Sequence, residues 1–287
     1  MTRWNQVTII GTGLVGGSLG LAMKQRRLAN RVVGVGHRQR TIDEALFRGA
    51  ADEVTLDPCG GVHGSDLVVL ATAVGLFETI AEKIVGNLVP GAVVVDVGST
   101  KAEVVRTLEP LMPQACTFVG CHPIAGSEKR GIPYARPDLF EGAACVVTPT
   151  ERTAADVLVR VVATWQDLGM VVRELSPEVH DRLLAEVSHL PHVVASALVR
   201  VVSDEAEPLV GPGWADTTRV AGGDAVLWRD ILLSNADEVT AAIGRFQAIL
   251  ADLHDAVRQR RGERIESLLA EAKDRRDELT KHKGQDA

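Results

Sequence analysis

His122 and Ser99 are the residues of this chain best placed by type and surroundings to do chemistry. His122 lies in Gly120-Cys121-His122-Pro123-Ile124-Ala125-Gly126-Ser127-Glu128, directly after the apolar run Thr117-Phe118-Val119. Proline and glycine turn the chain there, so the run reads as a strand that ends in a rigid loop carrying an imidazole. The unperturbed imidazole pKa, near 6.5, suits a proton acceptor at neutral pH. Ser99 lies in Asp96-Val97-Gly98-Ser99-Thr100-Lys101, where another apolar run ends. It also reads as a helix N-cap before Lys101-Ala102-Glu103. Cys121, although next to His122, is expected to be a bystander.

The chain opens on Val7-Thr8-Ile9-Ile10, which runs into Gly11-Thr12-Gly13-Leu14-Val15-Gly16. This is G-x-G-x-x-G between a strand and a helix. The first glycine permits the tight turn, and the second lets a pyrophosphate approach the backbone. The third lets helix and strand pack closely, and the helix N-terminus attracts phosphate. The pattern predicts a dinucleotide site, so His122 would be a base working beside a redox cofactor. Binders of NAD usually carry an acid at the end of the second strand. Here that strand ends Val33-Gly34-Val35-Gly36-His37-Arg38-Gln39-Arg40, with no acid. Glycine gives room beside His37, and Arg38 and Arg40 are suited to a 2′-phosphate, so NADP is favoured over NAD. The alternative is that both arginines are solvated and NAD binds without its usual acid. Thr72, in Ala71-Thr72-Ala73-Val74, sits where another strand ends and joins the cofactor candidates.

These loops need a scaffold. Apolar runs at Val7–Ile10, Arg31–Val35, Asp66–Ala71, Ala92–Val97, Thr117–Val119 and Ala143–Val147 alternate with helical segments such as Leu76–Val85 and Lys101–Leu111. Continuous apolar runs suit strands buried on both faces of a parallel sheet. The expected fold is α/β, a Rossmann-type doubly wound sheet followed by an all-helical dimerisation domain. The domains are placed at 1–174, binding the dinucleotide, and 175–287, for substrate and dimerisation. Ala154–Leu168 reads as a helix and Met170–Leu175 as a last strand. From Ser176 on only helices are expected: one long helix over Val179–Val202, a break at Pro208–Gly213, and a helix over Asp224–Val257. A charged helix then covers Glu263–Lys281. Such a long apolar helix needs a cover, which a homodimer would provide.

The chain has 287 residues, 46% hydrophobic and 24% charged, which suits a soluble globular protein. A net charge of −7 argues against nucleic acid held on a broad basic face. The four cysteines form no C-x-x-C pair and read as reduced thiols; no metal site is expected. No apolar run long enough for a membrane span and no signal peptide is visible, so a cytoplasmic location without membrane contact is expected.

Five segments, in order along nearly the whole chain, resemble the prephenate and arogenate dehydrogenases of tyrosine biosynthesis. They are GTGLVGGSLG, DVGSTK, HPIAGSEKRG, SHLPH and TTRVAGGDAVLWRDI. The resemblance implies oxidative decarboxylation of a cyclohexadienyl alcohol, prephenate or arogenate, with hydride transfer to a nicotinamide cofactor. It implies that His122 is the base and that Ser99 orients the substrate hydroxyl and His122. It places His189 and Arg219 at the substrate, Arg219 on a carboxylate. His192, Trp228 as a pocket wall and Glu128 at the entrance are further candidates. The rival enzyme reading is a β-hydroxyacid dehydrogenase, which would rely on a lysine in the helical half; none lies between Gly169 and Glu271. A non-catalytic NADP-binding protein would need neither His122 nor Ser99.

Overall fold

The computed structural model describes residues 4–126 and 129–281. Eight strands form one sheet: β1 (Trp4–Ile10), β2 (Ala29–Val35), β3 (Glu53–Thr55), β4 (Leu67–Leu70), β5 (Val93–Asp96), β6 (Thr117–Pro123), β7 (Ala144–Thr148) and β8 (Val171–Glu174). Their order is β3-β2-β1-β4-β5-β6-β7-β8. Pairing is parallel from β3 through β6, antiparallel between β6 and β7, and parallel again between β7 and β8. The order reverses between β1 and β4, and the crevice outside the carboxyl ends of strands at such a point is where open α/β sheets bind ligands.

Between the strands run α1 (Leu14–Gln25), α2 (Gln39–Phe47), α3 (Pro58–Val62), α4 (Phe77–Ile84), α5 (Ala102–Leu108) and α6 (Ala155–Asp167). Alternate strand residues feed two cores. Val7, Ile9, Val69 and Val95 pack with Leu19 and Met23 of α1 and Trp165 of α6. Ile10, Val68, Leu70 and Val94 pack with Phe77 and Ile84 of α4 and Val105 of α5. Helices on both faces explain why the strands read as unbroken valine and isoleucine runs.

After β8 the described chain is helical: α7 (Pro177–Leu184), a π-turn at Ala185–His189, α8 (Leu190–Val201), α9 (Pro212–Thr218), α10 (Ala225–Ser234), α11 (Ala236–Arg258) and α12 (Gly262–Lys281). Ser176 caps α7, its hydroxyl accepting from the Val179 N–H at 3.3 Å, with Pro177 in the first turn. By packing, the chain divides into a unit ending at Ala236 and a second unit starting at Asp237. No described helix is long and apolar enough to cross a membrane.

Several expectations need correction. β6 does not stop at Val119; it continues through His122 to Pro123, because β7 supplies antiparallel partners, His122 opposite Val146. His122 is therefore held in a strand and not in a loop. The short edge strand β3 carries no apolar run to mark it, with Glu53 exposed. The long helix over Val179–Val202 starts at Pro177 and contains a π-turn. The helix over Asp224–Val257 is broken at Asn235, whose backbone (φ −122°, ψ 36°) is not helical.

The glycine fingerprint is a packing requirement as much as a binding one. Gly11 has φ +107°, and a Cβ at Gly16 would lie 1.9 Å from the Gly11 carbonyl oxygen, whereas one at Gly13 meets nothing within 4 Å. Gly16→Ala should therefore cost about 1–3 kcal/mol by overpacking and lower Tm by several degrees. Gly13→Ala should shift Tm less, by about 1 kcal/mol or under, as an N-cap change. Thermal denaturation followed by circular dichroism checks the order.

Candidate active site

The site is built where β5 and β6 end and the helical segment after β8 packs on them. Asp181 of α7 is buried, and its carboxylate caps α5: Oδ1 accepts from the Lys101 N–H at 2.7 Å and Oδ2 from the Ala102 N–H at 2.8 Å. The expectation of Ser99 as that N-cap is thus corrected. The orphan amides of α5 are satisfied by a carboxylate from 80 residues away, a better match to the positive end of a helix.

Asp181 Oδ1 also accepts from His180 Nδ1 at 2.8 Å, and His180 Nε2 lies 2.8 Å from His122 Nδ1. This chain of contacts fixes the protons. A carboxylate only accepts, so His180 carries its hydrogen on Nδ1 and offers a lone pair at Nε2. His122 then donates from Nδ1, and its own lone pair is left at Nε2. His180 and Asp181 are the residues the sequence reading missed. The pair His-Asp near a helix start carries no local signal, and its partners lie 58 and 80 positions away.

Burial lowers the basicity of the imidazoles in this cluster. His122 is held well below the ordinary value of 6.5, first by burial, then by His180, the Lys101 cation and His189. His180 is lowered, mainly by burial against the pull of Asp181, and burial lowers His189 to about 4. Lys101 itself is fully buried and pairs with buried Asp96. Asp96 also accepts from the Gly98 N–H at 2.8 Å and the Cys121 N–H at 3.0 Å. Asp96 thereby pins the carboxyl end of β5 to β6 beside His122.

His189 closes the π-turn, with the Ser99 backbone within hydrogen-bonding influence of it. Its Nδ1 accepts from Asn235 Nδ2 at 3.1 Å. His192 stacks on Trp228 with ring centroids 3.6 Å apart and planes 11° off parallel, and Trp228 meets His189 edge-on at 6.2 Å. His192 is lowered by burial, against a hydrogen bond to the Val220 backbone. Arg219 is exposed and opens the turn Arg219–Gly222 that packs on α8. The structure thus draws His122, Ser99, His189, His192 and Trp228 together with His180, Asp181 and Asn235. Arg219 lies one residue from the Val220 contact of His192. Glu128 lies outside the described residues.

The cofactor candidates line the switch point of the sheet. Gly11 donates its N–H to Val35 at 2.8 Å, and Gly13 caps α1 with no side chain over the helix N-terminus and no acid in its first turn. The open space over Gly13 and a helix N-terminus without a side-chain cap fit a pyrophosphate. Thr12 is buried with its hydroxyl lacking a partner, and Thr72 is half-buried at the end of β4. His37, Arg38 and Arg40 are exposed beyond β2. A Cβ at Gly36 would lie 2.5 Å from Ile42 Cγ2, so this position has no room for an acid.

Family models agree with this geometry. Residues 19–174 match the nucleotide-binding domain of prephenate dehydrogenase, and residues 176–271 match its dimerization domain. The chain belongs to the prephenate dehydrogenase family. It is 32% identical to the prephenate dehydrogenase of Bacillus subtilis over 280 residues, spanning 95% of this chain and 76% of that protein. The Aquifex aeolicus prephenate dehydrogenase, solved with hydroxyphenyl propionate and NAD+, superposes with a TM-score of 0.90. That pair shares 35% identity over 96% of this chain and 98% of the other. The arogenate dehydrogenase of Synechocystis gives a TM-score of 0.81 at 29% identity, over 96% and 99%. This family member is a dehydrogenase with a nicotinamide cofactor.

Burial also disposes of Cys121 as a nucleophile. Its thiol is pushed far up by burial and by nearby Asp96, and Cys145 is pushed up likewise by burial. Cys116 is buried, while Cys59 is half-buried. Titration with an aromatic disulfide should find one reactive thiol, Cys59, in the native chain and all four after denaturation. A Cys59→Ser variant should then react with none until unfolded.

Proposed function

We propose that this chain oxidatively decarboxylates prephenate or arogenate, with His122 Nε2 taking the hydroxyl proton. The observation that carries the proposal is the ordered set Asp181–His180–His122. It leaves one unprotonated imidazole nitrogen at the carboxyl edge of the sheet that also bears the glycine fingerprint. A bound nicotinamide supplies the acceptor for the hydride of the carbinol carbon. His122 removes the proton as that carbon becomes a carbonyl, and the resulting imidazolium is balanced through His180 by Asp181. Loss of the ring carboxylate as carbon dioxide passes its electron pair through the ring to the carbonyl oxygen. That oxygen takes a proton to become a phenol as the ring becomes aromatic, and His122 returns to its neutral form. Ser99 orients the hydroxyl, Arg219 binds a substrate carboxylate, and His189, His192 and Trp228 wall the pocket.

NADP is the preferred cofactor in this proposal. Gly36 excludes the acid that would hold a ribose 2′-hydroxyl, and Arg38 and Arg40 stand beyond the same strand. The working division is 1–174 for the dinucleotide and 175–287 for substrate and dimerisation. Exposed Val187, Val201 and Leu209 after β8, and Ile249 and Leu269 in the second unit, support a homodimer, as does the match to a dimerization domain. A cytoplasmic enzyme fits the absence of a membrane-crossing helix among the described residues.

Steady-state assays of prephenate and arogenate against NAD and NADP test the reading; no reduction of either cofactor with either substrate overturns it. His122→Asn should lower kcat about 10²–10⁴-fold while leaving dinucleotide affinity near wild type. Arg219→Ala should act mainly on substrate KM. The pH profile follows from the sign of the shift. The base must be unprotonated and its pKa is lowered, so kcat/KM should hold steady down to pH 6.5. It should fall only at lower pH, as His122 gains its proton. An acid limb centred at or above 6.5 would contradict the assignment.

A further inference from the structure

Asn235 is buried at the one break between α10 and α11, a position that has no role in the reaction as described so far. Its Nδ2 lies 2.8 Å from the backbone carbonyl oxygen of Asp181 and 3.1 Å from His189 Nδ1. The contact with a carbonyl oxygen fixes the orientation of the amide, because only its nitrogen can donate there. The second hydrogen of the same nitrogen points to His189 Nδ1, which must accept it. A neutral imidazole that accepts at Nδ1 carries its hydrogen at Nε2. His189 is fully buried, and its Nε2 makes no hydrogen bond of ordinary geometry, although the Ser99 backbone lies near enough to raise its basicity. A buried donor without an acceptor costs about 1–3 kcal/mol, so the fold tolerates it where something else completes the bond. Burial also keeps the ring neutral, with Asp181, His180 and His192 as the charged or titratable groups around it.

We propose that Asn235 is a positioning residue: it locks His189 in the Nε2–H tautomer, so that His189 donates to an oxygen of the bound substrate. The two histidines at the site then have opposite polarity. His122 presents a lone pair through the Asp181 carboxylate and His180, and His189 presents a hydrogen through the Asp181 carbonyl and Asn235. This rests on the proposed reaction only for the identity of the oxygen. The substrate's hydroxyl oxygen, which becomes a carbonyl and then a phenolic oxygen as the ring aromatises, can accept from His189 at each stage.

The tautomer is read directly from long-range ¹H–¹⁵N correlation spectra of ¹⁵N-histidine-labelled protein at neutral pH, with His189 assigned by its loss in His189→Gln. The native chain should show a protonated Nε2 and an unprotonated Nδ1 at His189. Asn235→Asp, which offers only acceptors, should move the hydrogen to Nδ1. Asn235→Ala, which adds no buried charge, should give a mixture. A protonated Nδ1 in the native chain, or a tautomer unchanged in both variants, would overturn the lock. In steady state Asn235→Ala should raise prephenate KM about tenfold, the loss of one hydrogen bond, with the acid limb of kcat/KM unmoved. An unchanged KM in an active variant would overturn the donor role. The spectra use resting protein, so the lock stands or falls whether or not prephenate is the substrate.

Discussion

The carboxylate of Asp181 is the point on which the site depends. It accepts from two amides of α5 and from His180, and its own backbone carbonyl accepts from Asn235. One residue therefore docks α7 on α5, orders the imidazoles of His180 and His122, and holds the amide that faces His189. Hydrogen bonds to a charged group are worth about 1.5–3 kcal/mol each, and breaking a buried set leaves several donors unsatisfied at once. The arrangement resists partial loss, which is what a constellation needing fixed protons requires. The second buried anchor, Asp96 with Lys101, ties the same loop to β6 from the other side.

Electrostatics and burial then act in one direction. Taking imidazoles out of water disfavours their charged forms, and the Lys101 cation adds to this at His122 and His180. The cluster stays neutral, and its members differ in where the hydrogen lies and not in charge. Burial has the opposite effect on an acid, and it pushes the Cys121 thiol far up beside His122. Proximity in sequence made Cys121 conspicuous; burial keeps its thiol protonated while it keeps the neighbouring imidazole neutral.

Much of the fold was legible because its cause is local. Valine and isoleucine runs mark strands covered on both faces, and Gly11 and Gly16 mark the two positions of a turn where the backbone leaves no room for a side chain. His122 was legible as a type but not in its place. The apolar pattern ends at Val119, and only pairing with β7 carries the strand on to Pro123. Ser99 has the right chemistry for a cap, yet Asp181 takes that position from far along the chain. Asn235 sits in a stretch that reads as uninterrupted helix, so neither the break nor its amide bridge leaves a local trace. What escapes the sequence is the set of hydrogen bonds spanning 46 to 80 residues, since no short spacing encodes them.

A neutral donor at His189 is better suited to this place than a cation would be. The charge of Lys101 already lowers the basicity of His122, and a second positive charge at His189 would lower it further. Buried charge without a carboxylate partner is also costly, and the nearest carboxylate, Asp181, is occupied with α5 and His180. An imidazole fixed by an amide supplies a directed hydrogen without either penalty. The amide is the group that can do this: it donates to a carbonyl on one side and to a ring nitrogen on the other. A carboxylate in its place would reverse the tautomer, and a hydroxyl has a single hydrogen for two acceptors. In the proposed reaction the exposed Arg219 would meet the substrate carboxylate where solvent bears its charge. Under that proposal, charged recognition falls to the exposed Arg219 and neutral, oriented hydrogen bonding to the buried imidazoles, a division set by the cost of burying charge.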